Sequence, residues 1–556
     1  MNRLIQLNKA TAVFFVVLGL DCFCLSPLAQ AVSPPPDGGY PNLNTAEGDG
    51  ALQSLTTGCC NIAIGASALE NNTTGVNNTA NGVNALQHNN ADHNTANGAN
   101  ALQSNTTGSL NTATGAFALN RSTTASGNTA DGTNALRDDT VGGNDTAIGN
   151  SALQSNTTGN YNMASGVAAL LRNTTGSNNT ATGFQALAAN TTASGNTANG
   201  YNALNFNTGS NNTAIGASAL QNNTTGSFNI ASGFSALASN TTGDFNTASG
   251  EEALFLNTTG NNNTASGLAA LHDNTTGDDN TATGRGGLKE NTTGHDNTAN
   301  GLNALFHNTT GINNTAIGAE ALFSSTTGFN NVAVGASALF NDTTGSTNIA
   351  LGPGAGKNLT KGNRNIDIGN DGVAGESATI RIGTAVEQTK TFIAGINGTA
   401  VTGISVFVNN GGQLGTAVSS RRFKEEIQPM NKASEALFGL EPVTFRYKKD
   451  IDPAGIPQFG LVAEDVAKVN SDLVVRDKEG KAYTVRYEAV NAMVLNEFLK
   501  EHRKNEQQRK DFEAAIARQQ KQIEALTAGL QKVSAQLEVS KSAPQVAEKN
   551  QQKPSR

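Results

Sequence analysis

From residue 59 to about 370 the apolar positions of the chain recur every seventeen residues, with two steps of sixteen. The unit reads Asn-Thr-Ala-x-Gly-x-x-Ala-Leu-x-x-Asn-Thr-Thr-Gly-x-x. Its central alanine falls at Ala63, Ala80, Ala96, Ala113, Ala130 and Ala147 and runs on through Ala333 and Ala350, and Asp367 in "NIDIG" takes the next beat. That makes nineteen units. A unit this short cannot enclose a core of its own, so successive units must bury one another. Asn, Thr and Gly are poor helix formers. Short extended segments such as "NTAIG" and "SALQN", broken at "NTTG", therefore predict the turns of a parallel β-solenoid or β-roll. Stacked turns place identical Asn and Thr side chains in hydrogen-bonded ladders about 4.8 Å apart, and nineteen of them make a rod on the order of 90 Å long. Each turn offers about one Leu and two or three Ala. That is little apolar mass against the entropy of ordering the turn, so burial against sister chains is expected.

The pattern then changes twice. Over 371–418 apolar residues alternate with Gly punctuation, which predicts a β connector. Past Lys424, "NKASEALFGL" reads as a short helix and "PVTFRYKK" as a strand with Val443, Phe445 and Tyr447 on one face. "FGLVAEDVAKV" reads as a strand running into a helix, and "LVVRDKEGKAYTVRY" as a hairpin turning at "DKEG". A long helix is predicted from about Glu488 to Leu537. Leu495, Ile516, Ile523, Leu530 and Leu537 occupy heptad position a, and Phe498, Phe512, Leu526 and Val533 position d. His502, Asn505, Arg509 and Gln519 interrupt that seam, but its last three heptads predict a coiled coil. The organisation is mainly β: 59–370 the repeats, 371–418 the connector, 419–494 a small α+β domain, 495–540 the coil and 541–556 a tail.

Residues 1–31 predict a secretory signal peptide, with Arg3 and Lys9 ahead of the apolar run Ala10–Leu20 and an Ala29-Gln30-Ala31 cleavage site. The alternative is a lipoprotein signal at Cys22 or Cys24, which Asp21 and Phe23 disfavour. Residues 32–58 form a linker. After cleavage only Cys59 and Cys60 remain, and adjacent cysteines rarely bridge to each other. The expected location is secreted or on the cell surface.

Composition narrows the function. Charged residues make up 14% of the chain and aromatics 5%, with no Trp and 61 Gly, which argues against a conventional enzyme. The net charge of −8 divides into about +4 over 419–556 and −12 upstream. Neither part is basic and aromatic enough for a nucleic-acid groove. The six histidines show no metal-ligand spacing, and no phosphate loop or Gly-x-Ser-x-Gly elbow occurs. No cofactor or metal is predicted. Each "NTT" matches a glycosylation sequon, but a repeat built on Asn and Thr ladders generates sequons by default.

Charge returns abruptly at "SSRRFK", residues 419–424. A serine hydroxyl needs a base to become a nucleophile, and a lysine serves when desolvation or neighbouring cations lower its pKa. Ser419 and Lys424 are five apart, off-face within one helix. The serine must then lie in an extended segment before the helix, or meet a lysine of another chain. Arg421 and Arg422 are the candidate supporting cations, by depressing the lysine or holding an oxyanion.

Two resemblances extend this reading. "NTAIGASAL" and "NVAVGASAL" are similar to the head repeats of YadA-like trimeric autotransporter adhesins, which form left-handed β-rolls with three chains around one axis. The polar ending "VAEKNQQKPSR" departs from that family, whose chains end in transmembrane β-strands, so no transmembrane anchor is expected in the mature chain. Residues 419 to about 540 resemble the C-terminal intramolecular chaperone of phage tailspikes and tail fibres, serine-peptidase family seventy-four. That motif is Ser-Asp-x-Arg-x-Lys, then "Leu-x-Pro-Val-x-Phe", "Gly-x-x-Ala-Gln-Glu-Val" and a Tyr before the last helix. Here it reads Ser419 to Lys424, "LEPVTFRY", "GLVAEDV" and Tyr487, with Ser420 in place of Asp and Glu464 in place of Gln. The resemblance implies a homotrimer whose chaperone folds the stalk and then cuts itself off between Val418 and Ser419, with Ser419 and Lys424 catalytic. A host-surface or glycan receptor would be the partner of the fibre. The rival readings are a structural adhesin whose domain trimerises without cutting, and an ice- or glycan-binding solenoid.

Overall fold

The computed structural model describes residues 41–385, 387–394, 403, 405–409, 411–477 and 479–539. The predicted signal peptide and the tail from 541 onward lie outside them. The chain divides into two compact units, Met1–Phe392 and Ile393–Arg556.

The first unit is a parallel β-solenoid with one strand of three residues per turn. Its single sheet has 21 strands, from β1 (Thr45–Glu47) to β21 (Ile380–Ile382), each paired in parallel with the next. The stack therefore starts one turn before the sequence repeat becomes regular and ends one turn after Asp367, inside the stretch read as connector. At about 4.8 Å per step the sheet is on the order of 95 Å long.

One turn shows why the sequence folds this way. In β14 (Thr264–Ser266) Thr264 and Ser266 face out while Ala265 is fully buried. Ala270 and Leu271 are also fully buried, although they are neighbours in sequence. Adjacent residues of a strand point to opposite faces, so this segment cannot be extended. Instead Ala269 and Leu271 both take φ of +52°. The prediction that "SALQN"-type segments form strands is corrected here: they are tight turns, and backbone conformations costing about 1 kcal/mol each are accepted so that Ala and Leu can fill the core side by side. The turns still stack, since Leu271 N–H donates to the Gly287 carbonyl at 2.9 Å and Ala269 N–H to that of Glu251 at 2.9 Å.

Two columns of buried asparagine complete the interior. Asn263 receives the pattern of the first: its N–H donates to Asn246 Oδ1 at 3.0 Å and its Nδ2 to the Gly277 carbonyl at 2.8 Å. In the second, Asn274 Nδ2 donates to Asn257 Oδ1 at 2.8 Å and to the Gly277 carbonyl at 2.9 Å. Thr275 Oγ1 donates to the Thr292 carbonyl at 3.0 Å. Asn274 is the asparagine of an "NTT" sequon and is fully buried, so the folded rod holds that amide inside. The low apolar content per turn is thus met within one chain, by Ala and Leu packed at 0% exposure between hydrogen-bonded amide columns.

The glycine after most of the strands, up to Gly335, is fixed by stacking. Gly233 has φ of +140°, and a Cβ there would lie 2.4 Å from the Gly250 carbonyl oxygen. Gly233→Ala is expected to destabilise the rod by about 3–5 kcal/mol, read as a lowered denaturation midpoint by circular dichroism. An unchanged midpoint would show that neighbouring turns can slide apart to admit a methyl group.

The second unit opens with the hairpin β22 (Val406–Val408) and β23 (Leu414–Thr416). A nine-residue 3-10 helix, Asn431–Gly439, follows. β24 (Val443–Phe445) and β25 (Gln458–Gly460) pair antiparallel, α1 spans Ala463–Val469, and β26 (Val474–Arg476) pairs with β27 (Ala482–Val485). α2 runs Tyr487–Val539. Val466, Leu473, Val474, Val485, Val490 and Met493 form its core. These elements follow the sequence expectations closely.

Candidate functional site

The segment ahead of the small domain carries the predicted chemistry. Ser419 precedes the extended Ser420, and Arg421–Phe423 form a single 3-10 turn closed by Phe423 N–H donating to the Ser420 carbonyl at 3.0 Å and Lys424 N–H to that of Arg421 at 3.1 Å. This turn folds the chain back, and Lys424 Nζ donates to Ser419 Oγ at 3.2 Å. Of the two geometries open to a five-residue spacing, the one with the serine ahead of the turn occurs, within one chain. Arg422 lies over the Phe423 ring, its Cζ 4.6 Å from the centroid. Val418, Ser419, Arg421, Arg422 and Lys424 are all exposed, so the described residues bring the candidate serine and lysine together without desolvating either, whereas a lysine base would need burial.

The other motif residues form the scaffold. Gly460 ends β25 where a Cβ would meet the Tyr487 hydroxyl at 2.8 Å. That hydroxyl accepts from Leu461 N–H at 3.0 Å, tying the start of α2 to the "GLVAEDV" segment.

Sequence reasoning missed a second serine–lysine contact. Ser434 is fully buried between the 3-10 helix and α2, where its Oγ accepts from Asn496 Nδ2 at 2.6 Å and Lys500 Nζ at 3.2 Å and meets Glu497 Oε1 at 2.5 Å. Lys500 also pairs with Glu497 at 2.6 Å, and the two hold the Glu497 carboxylate below its usual range. These contacts from Asn496, Glu497 and Lys500 to one buried hydroxyl latch the 3-10 helix onto α2. The spacing of sixty-odd residues gave no local signal for it.

His272 lies between Asp273, at 2.6 Å, and Glu252, at 3.7 Å, and His307 contacts Glu290 at 2.8 Å. No group of three or more His, Cys, Asp or Glu among the described residues could hold a metal ion. Cys59 and Cys60 are free thiols. No helix among the described residues is long and apolar enough to cross a membrane.

Residues 419–475 match the family model of the chaperone of endosialidase. The match begins at Ser419 itself and takes in β24, β25 and α1, which supports a C-terminal chaperone domain. No curated protein matches the chain. A β-solenoid rod followed by such a domain fits the tail-fibre and tailspike class of proteins.

Proposed function

We propose that this chain is one of three in an exported fibre, assembled by its C-terminal chaperone domain, which then severs itself before Ser419. The observation carrying this reading is the Ser419–Lys424 contact at the first residue of the matched domain. The exposed a and d side chains of α2 support assembly: Leu495, Phe498, Phe512, Ile516, Ile523, Leu526, Leu530 and Leu537 are each more than half exposed on the single chain, as a three-stranded coil needs. Assembly would then cover the dyad and free the lysine lone pair. Lys424 takes the Ser419 Oγ proton as Oγ attacks the Val418 carbonyl carbon. The C–N bond breaks, the proton passes to the Ser419 nitrogen, and water hydrolyses the resulting ester. The products are a rod ending in the Val418 carboxylate and a chaperone fragment with a free Ser419 amine. The fibre's ligand would be a host-surface or glycan receptor met by the rod.

A non-cleaving structural adhesin is the second reading, favoured by Ser420 standing where the family motif has an acid. Light scattering and intact mass on one preparation separate the two. A particle of three chains with a fragment of 419–556 is expected, and three uncut chains would leave the chaperone role and remove the chemistry. Deleting 495–540 is expected to leave soluble single rods. If that truncated chain still assembles, α2 does not nucleate the fibre.

A further inference from the structure

Along most of the rod the outward strand positions are Thr, Asn and Ser, with an isoleucine pair at β2 (Ile62–Ile64) and isolated apolar residues such as Ile148, Met163, Ile215 and Ile230. The last turns differ. From β18 (Val332–Val334) through β19 (Ile349–Leu351) and β20 (Ile366–Ile368) to β21 every outward side chain is Val, Ile or Leu. Ile349, Leu351 and Ile368 are 37–38% exposed, and Ile380 and Ile382 66% and 71%. We infer that copies of this chain pack against one another on this strip and leave the polar faces of the earlier turns apart, so that the rods are joined at one end only.

The strip presents no charge or hydrogen-bonding group, so its occupant is an apolar surface. Of the eight aliphatic side chains only Ile380 and Ile382 are mostly exposed, and the strip offers roughly 500–600 Å², short of the ~800 Å² per partner of a stable interface. Free chains meeting through this strip alone would associate weakly, so the strip is seated while α2 still tethers the chains, before the proposed cut. A sister chain already tethered through α2 meets it at high effective concentration and needs no more area. The hairpin β22–β23 points the same way. All six of its strand residues are exposed, and a two-stranded hairpin without a covering layer is marginal in water. Upstream of the strip the strand face is mostly Thr, Asn and Ser, which gain nothing by leaving water; the exposed aromatics of those turns, such as the stacked Phe228 and Phe245, lie outside the strands.

The inference rests on the assembly proposed above, and the experiment keeps the two apart. In uncut Ser419→Ala protein with Cys22, Cys24, Cys59 and Cys60 all replaced, single cysteines are introduced as Ile368→Cys, Ile349→Cys and Asn199→Cys, and maleimide labelling is timed on samples whose mass is read by light scattering. In assembled protein Cys at 199 is expected to label at least tenfold faster than at 368 or 349, and deleting 495–540 is expected to abolish that protection. Equal labelling at 199 and the strip positions in a three-chain particle would overturn the inference and leave the assembly standing. Protection at 199 as strong as at 368 would mean rods packed along their length and would also overturn it. A single-chain particle would remove both.

Discussion

In a Ser419→Ala chain the full-length product is expected to persist after assembly, with self-cleavage slowed at least about 10³-fold. Lys424→Ala is expected to do the same, because Lys424 Nζ at 3.2 Å is the one base in reach of Ser419 Oγ among the described residues. Ser420→Ala is expected to cut normally. Ser420 contributes its carbonyl to the 3-10 turn through Phe423 N–H, and alanine supplies the same carbonyl. The readout is intact mass with N-terminal sequencing of the small fragment. A fragment beginning at residue 420, or cutting at the wild-type rate in Ser419→Ala, would assign the chemistry to a different residue. The dependence on assembly is a separate arm: the chain lacking 495–540 keeps the Ser419–Lys424 contact but is expected to stay uncut, since that contact is open to water on one chain.

The second large effect lies inside the rod. Asp139 and Asp145 replace ladder asparagines and are fully buried. Burial, reinforced by the Asp145 charge, pushes the Asp139 carboxyl up to about 8, and burial pushes Asp145 up to about 7. Asn156 Nδ2 lies between them, 3.3 Å from Asp139 Oδ1 and 3.1 Å from Asp145 Oδ2. Both folded values exceed the ordinary carboxyl value, so the folded rod favours the neutral acids. The stability they permit is fully present below about pH 4 and is lost as pH rises through 7 and 8, a total on the order of 10 kcal/mol. Asp139→Asn with Asp145→Asn restores the amide columns and removes these two titrations, while Asp342 and Asp367, pushed up to about 6 by burial, titrate alike in both proteins. The double variant is expected to melt close to wild type near pH 4 and well above it at pH 8. Parallel melting curves of the two proteins from pH 4 to 8.5 would show that water or counter-ions reach these carboxylates.

The rod was legible in the sequence because its period is its structure. A residue placed every seventeen positions meets its own kind one turn away, so Asn263 bonds to Asn246 and Thr275 to Thr292, and chain order alone sets the contacts. Charge is scarce for the same reason, since stacked columns would face like charges together. The helix of α2 and the hairpin β26–β27 were legible from local periodicity and turn chemistry. The Ser419–Lys424 pair stood out because five residues and one turn suffice to join it.

What the period leaves open is which way each side chain faces. "SALQN" read as a strand because alternation was assumed, and only the closed core, by demanding Ala and Leu side by side, forces positive φ at Leu271 and its counterparts. The amide columns are likewise a tertiary result: a count of Leu and Ala per turn misses hydrogen bonds that form only after stacking. The Ser434 latch joins residues more than sixty apart, and the outward apolar strip becomes a surface only once β18–β21 lie in register. Local sequence determined the elements and their order; burial, which depends on neighbours distant in the chain, decided which of their side chains are core, which are catalytic candidates and which remain free to meet another copy.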